Sequence, residues 1–225
     1  MADASHRSGG LNAPPLARPR LRGVFHQYAF FASLLAGALL VLVAATVKAT
    51  VAAAVYAVSV SGLFGVSALY HRVTWAPRPR RLLRQLDHAM IFLLIAGTYT
   101  PVGLLVLKGT LAAAVLAVVW SGALAGIVLT LVWHDTPKWV AALVYVALGW
   151  VAVVTLPQLV SRLGVAGTLL IVAGGLVYSA GALVYALRRP NPAPATFGYH
   201  EIFHLLVIAG VAAHFAAISL AVLAA

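Results

Sequence analysis

Long apolar runs broken by short polar stretches govern this chain from one end to the other. A helix needs about 20 apolar residues to cross the hydrocarbon layer of a bilayer. Seven runs approach that length: Tyr28 to Val47, Val51 to Tyr70, Leu86 to Leu107, Leu111 to Val132, Trp139 to Leu156, Leu163 to Leu187 and Tyr199 to Leu223. They predict an all-α integral membrane protein, a bundle of seven transmembrane helices. The breaks between runs are too short for another domain, and Gly, Ala and Ser recur inside the runs, as close helix packing in lipid requires. Residues 1–22 are rich in Pro, Arg, Ser and Gly and hold no apolar core for a cleavable signal. They read as a disordered, basic cytoplasmic tail before a membrane domain spanning 23–225.

Basic residues mark the breaks unequally. On one side of the predicted bundle fall Arg7, Arg18, Arg20 and Arg22, then Arg72, Arg78, Arg80, Arg81 and Arg84, then Lys138, and finally Arg188 and Arg189. The other side carries only Lys48, Lys108 and Arg162. Lys and Arg are retained on the cytoplasmic face, so the N-terminus is expected inside and the C-terminus outside.

Composition narrows the chemistry. Of 225 residues, 63% are hydrophobic and 8% charged, which excludes an ordinary soluble domain. The formal charge of +11 would suit a nucleic-acid binder, but its carriers lie in short loops between spans, so no nucleic-acid partner is expected. Cysteine is absent. Disulfides, thiolate ligands and thiol catalysis are therefore excluded, and a metal would have to be held by His, Asp, Glu or water.

The opening of the last span carries the sharpest signal, Gly198-Tyr199-His200-Glu201-Ile202-Phe203-His204. Two imidazoles entering a bilayer one turn apart are costly unless something binds them. At spacing i, i+4 they share a helix face with Cβ atoms roughly 6 Å apart, which lets both meet one Zn²⁺. The predicted topology brings the end of span two, Ser67-Ala68-Leu69-Tyr70-His71, and the start of span three, Leu86-Asp87-His88, into the same leaflet. His71 is then the third metal ligand. Three imidazoles and one water make an open, catalytic zinc site, whose metal lowers the pKa of its water toward about 7 and polarises a carbonyl. Asp87 is placed to take the proton, and Ser67, one turn before His71, to hydrogen-bond the water or a substrate carbonyl. The simpler roles are an Arg84 pairing or helix-start charge for Asp87 and a bond to the Leu63 carbonyl for Ser67.

Other polar residues fit less well. His200-Glu201-Ile202-Phe203-His204 is literally H-E-x-x-H, the zinc protease pattern with Glu as base, but no third ligand follows within reach. His214 lies ten residues on, about 15 Å along the helix. Glu201 flanks the pair and is expected to border the site or to pair with a basic loop residue. His88 points about 100° from Asp87 and is expected to serve packing. His26, His134 and Asp135 read as interface residues, His214 and Tyr99 as a polar contact in the bundle, and Thr98-Tyr99-Thr100-Pro101 as a kink in span three.

These residues together resemble the bacterial haemolysin III proteins of the progestin and adiponectin receptor (PAQR) family: Ser67-x-x-x-His71, Leu86-Asp87-His88 with Ile91-Phe92, Ala96 to Pro101, and Gly198 to His204. The likeness runs from about Val24 to the end. It implies a seven-helix bundle in a bacterial plasma membrane, with Zn²⁺ in the cytoplasmic half bound at His71, His200 and His204, and with Asp87 and Ser67 beside it. Eukaryotic relatives and the similar alkaline ceramidases are associated with ceramide amide hydrolysis. The bacterial group is linked by name to haemolysis and also to membrane fluidity homeostasis.

The expected function is thus zinc-dependent hydrolysis of a lipid amide or ester at the cytoplasmic leaflet, with membrane lipid as substrate. A membrane-state sensor with structural zinc and a pore-forming cytolysin are the alternatives. The cytolysin lacks the continuous polar row a conducting pore needs.

Overall fold

The computed structural model describes residues 19–133 and 137–225. The predicted tail, residues 1–22, falls largely outside them, as do His134 and Asp135. Seven α-helices follow in order among the described residues: α1 (Val24–Leu42), α2 (Val47–Arg72), α3 (Pro77–Pro101), α4 (Gly109–Val132), α5 (Lys138–Gly149), α6 (Leu156–Leu187) and α7 (Tyr199–Leu223). A π-helical turn, Val102–Val106, extends α3, and a 3-10 turn, Trp150–Thr155, joins α5 to α6.

Local chemistry sets the ends. Thr46 caps α2, its side chain accepting from the Ala49 N–H at 3.2 Å. α3 starts at Pro77, nine residues before the apolar run predicted at Leu86, so the Arg-rich stretch expected as loop is helical. Pro is favoured in the first helical turn, and Arg, Leu and Gln propagate a helix well. At its other end Pro101 removes a backbone donor, and the wider π turn follows, which accounts for the expected irregularity near Thr98 to Pro101. The hydroxyls of Thr98 and Thr100 donate to the carbonyls of Leu94 and Ala96, four residues back.

Among the described residues six continuous stretches are long and apolar enough to cross a membrane: Val24–Leu42, Val47–Arg72, Pro77–Val106, Gly109–Val132, Lys138–Leu187 and Tyr199–Leu223. The 50 residues of Lys138–Leu187 do not run straight. Gly164 takes φ 77° and ψ 171° inside α6, a conformation open mainly to glycine. Residues on its two sides meet: Trp150 Nε1 donates to Ser179 Oγ at 2.9 Å, and Lys138 Nζ sits 4.6 Å above the Tyr185 ring.

α3 is the axis of the fold. In its most apolar window 67% of residues are buried, against 22% for α1 and α4. Phe92 and Tyr99 on α3 belong to a core cluster with Val119 of α4 and Leu159 of α6. Leu94, on another face, belongs to a second cluster with Tyr56 and Phe64 of α2 and Ile218 of α7. Large apolar side chains such as Leu35, Leu42, Val132 and Leu183 point outward and are mostly exposed, which suits a lipid-facing perimeter.

Candidate metal centre

His71 ends α2 against the backbone that enters α1. Gly23 has φ 79°, and a Cβ there would lie 2.6 Å from His71 Cβ, so only glycine lets the chain turn so close to the imidazole. The residues before Gly23 are tied down as well. Arg20 and Leu21 donate backbone N–H groups to the carbonyls of Ala195 and Thr196, at 3.1 and 3.2 Å, in the loop leading to α7.

α7 opens at Gly198. Glu201, fully buried, accepts from the Gly198 N–H through Oε2 at 2.8 Å and pairs through Oε1 with Arg22. The carboxylate of the H-E-x-x-H sequence is thus occupied by its helix cap and an ion pair with a basic residue from the opposite end of the chain. With Glu201 so placed, His200 and His204 turn to the face that meets α2. His71 Nε2 and His200 Nε2 face each other at 3.1 Å. His204 completes the group, with one nitrogen from each of the three residues lying within 4.8 Å of the others.

Asp87 and Ser67 lie around this triad. Asp87 Oδ2 is 3.7 Å from His71 Nε2, beside the histidines and too far for a direct hydrogen bond. Ser67 Oγ stands 2.9 Å from His26 Nδ1. His26, expected at the membrane interface, is buried, and its ring stacks on His204. Sequence reasoning missed this contact, although an imidazole two residues before the predicted first span, on the same predicted side as His71, was a signal of the kind that pointed to His71.

The remaining predictions resolve individually. His88 Nε2 lies 3.0 Å from Tyr185 Oη, and His88 is not among the three residues whose ligand atoms cluster. Tyr99 and His214 find separate partners: Tyr99 Oη donates to the Gly149 carbonyl at 2.6 Å, while His214 Nε2 lies 3.0 Å from the Ile171 carbonyl oxygen.

Two cavities adjoin the triad. One, about 240 Å³, is mostly apolar and is lined chiefly by α3, α5, α6 and α7, with Ser67, Asp87, His204, Tyr178 and His214 among its lining residues. The second, about 400 Å³, is about half polar, with Arg22, Arg84, Lys138 and Arg188 in its wall. Asp87 and His200 border both.

The residues fit a metal. A tetrahedral ion with Zn–N distances of 2.0–2.1 Å holds its ligand nitrogens about 3.3 Å apart, close to the 3.1 Å between His71 and His200. His204 Nδ1 is buried with no hydrogen-bond partner among the described residues, an orphan that costs free energy unless something binds the ring. Three imidazoles without a thiolate suit zinc and several other divalent ions.

A family model described as haemolysin-III related matches residues 15–215. The chain is 33% identical over 162 residues to a hemolysin-3 homolog of Bacillus subtilis strain 168, covering 72% of each protein. It is 35% identical over 118 residues to hemolysin-3 of Bacillus cereus, where the match spans about half of both chains, 52% of this one and 53% of the other. The match takes in all the helices that surround the histidine triad, and the chain belongs to the haemolysin-III-related family of multi-pass membrane proteins.

Proposed function

We propose that this protein is a zinc-dependent hydrolase of the bacterial plasma membrane that cleaves an amide or ester bond of a lipid at the cytoplasmic leaflet. The observation that carries the reading is the convergence of His71, His200 and His204 beside Asp87, at the head of an apolar cavity. Seven crossings, with the N-terminus inside, fit it best. A straight 50-residue helix would be about 75 Å long, more than twice the hydrocarbon thickness, and the fold-back at Gly164 supports two spans there. The excess of Lys and Arg on the side of His71 and His200 supports a cytoplasmic site.

Bound by the three histidines, Zn²⁺ supplies a Lewis acid that acidifies water and polarises a carbonyl. Asp87 lies within reach of a water beside His71 and takes its proton as the oxygen adds to the carbonyl. The protonated carboxyl then returns that proton to the departing amine or alcohol. Ser67 is held by His26. When His26 Nδ1–H donates to Ser67 Oγ, the hydroxyl proton is left for the substrate oxygen. The apolar cavity accommodates a hydrocarbon chain, and the basic vestibule a polar head group.

The test combines metal content by mass spectrometry on wild type, His71→Ala and His204→Ala with a lipid-hydrolysis screen of wild type against Asp87→Asn. The expected result is near one zinc per chain, lost in both His variants, with turnover reduced about 10² to 10⁴-fold in a zinc-loaded Asp87→Asn protein. Zinc without turnover in any lipid class, together with lower stability on its removal, would favour the sensor with structural metal. Wild type that folds without metal would overturn both.

A further inference from the structure

Halfway along the bundle, α6 and α7 each insert a polar ring into a glycine notch of the other. A Cβ on Gly174 would lie 2.3 Å from His214 Cδ2 and 2.5 Å from its Nε2, and a Cβ on Gly210 would lie 2.5 Å from Tyr178 Cε1. The notch and the ring are four residues apart on each helix, Gly174 with Tyr178 and Gly210 with His214, so the two helices interlock reciprocally. The rings meet edge to face, centroids 5.2 Å apart. Both line the apolar cavity.

Their polar atoms are not consumed by this packing. His214 Nε2 faces the Ile171 carbonyl oxygen at 3.0 Å. A carbonyl only accepts, so in the neutral imidazole Nε2 carries the proton and Nδ1 presents a lone pair. Among the described residues Nδ1 is buried without a hydrogen-bond partner, and so is the Tyr178 hydroxyl. Nearby polar groups are satisfied from within: Ser179 Oγ donates to Gly175 O and accepts from Trp150, and Tyr99 Oη donates to Gly149 O. The unpartnered acceptor and hydroxyl belong to two neighbouring side chains that line this apolar cavity, and together they match a group that both donates and accepts, which is the chemistry of an alcohol.

We propose that Tyr178 and His214 form a second polar contact in this cavity, one that binds the hydroxyl of a hydroxylated lipid chain whose head lies at the histidine triad. The hydroxyl donates to His214 Nδ1 and accepts from Tyr178 Oη. Ten helical residues, about 15 Å, separate His204 from His214, so the hydroxyl belongs well along the chain and not beside the head group. This rests on the reading of the cavity as a lipid-chain site and adds a preference for oxygenated chains.

Octadecanoic acid and its mid-chain hydroxy derivative, titrated into purified protein with tryptophan fluorescence as readout, test the contact without requiring turnover. Trp150 lines the cavity and reports occupancy. Wild type is expected to bind the hydroxy acid roughly five- to tenfold more tightly, the worth of about one net hydrogen bond. Tyr178→Phe keeps the ring in its notch and His214→Phe keeps an aromatic there. Both should abolish the preference while leaving octadecanoic acid affinity within about twofold. Equal affinities in wild type, or a preference that survives both variants, would overturn the hydroxyl contact while leaving the lipid cavity standing. Failure of wild type to bind either acid would overturn the cavity reading and this contact with it.

Discussion

His26 lies flat against His204, ring centroids 3.8 Å apart and planes 11° from parallel, and reaches Ser67 Oγ at 2.9 Å with its Nδ1. One side chain of α1 thus touches both a proposed ligand on α7 and a proposed assisting residue on α2. Substituting His26→Phe preserves the stack and removes the hydrogen bond. Zinc content by mass spectrometry should stay at the wild-type level, and thermal unfolding in detergent should show a loss of about 0.6 to 1.7 kcal/mol, the range for side-chain hydrogen bonds in membrane bundles. Loss of metal as complete as in His204→Ala would make His26 a ligand instead of a positioning residue.

Gly23 offers a way to disturb His71 without touching it. Gly23→Ala puts a methyl group at a φ of 79° and 2.6 Å from His71 Cβ. Strain of this kind costs about 1 to 3 kcal/mol, and the imidazole must shift to relieve it. The expected outcome is a lower unfolding temperature together with faster loss of zinc to a chelator. Unchanged chelation kinetics would show that the entry to α1 does not position His71.

Glu201→Gln separates two roles for the carboxylate. The amide oxygen can still accept from Gly198 N–H, but the Arg22 ion pair is gone. Stability should fall by about 1 to 3 kcal/mol, less than for a fully buried pair because the Arg22 side chain is 21% exposed. Zinc content and turnover per folded molecule should persist. Abolished turnover in a stable, zinc-loaded variant would restore Glu201 as the base of a protease-like site.

The crossing count can be read by labelling, because the chain has no cysteine of its own. Arg162→Cys, near the Gly164 turn, should react with an impermeant maleimide added to intact cells, whereas Arg188→Cys should react only after the membrane is opened. Equal protection of both residues would rule out a fold-back that reaches the outer surface.

The triad was legible because its two halves are local. His200 and His204 are four residues apart, and helical periodicity alone aligns them, while His71 and Asp87 lie on consecutive helices, only 16 residues apart in the chain. Ser67 was legible by position but not by partner: it meets His26, 41 residues away on a different helix. Glu201 was legible as a residue that does not share the face of the histidines, but not as the cap and ion-pair partner that it is. The helical Arg-rich start of α3 is not legible from hydropathy, because charge ends an apolar run without ending a helix, and Arg propagates a helix well.

The sequence by itself determined a helical membrane protein, the histidines that can hold a metal ion and the distribution of basic residues, because apolar run length, helical spacing and charge placement are properties of neighbouring residues. Only the tertiary structure decided that Arg22 and Gly23 hold the site from the far end of the chain, that His26 lies on His204, and that Tyr178 and His214 interlock through opposing glycines. Those contacts depend on how distant helices approach one another, and the volumes of side chains on both partners, not the pattern along either one, set that approach.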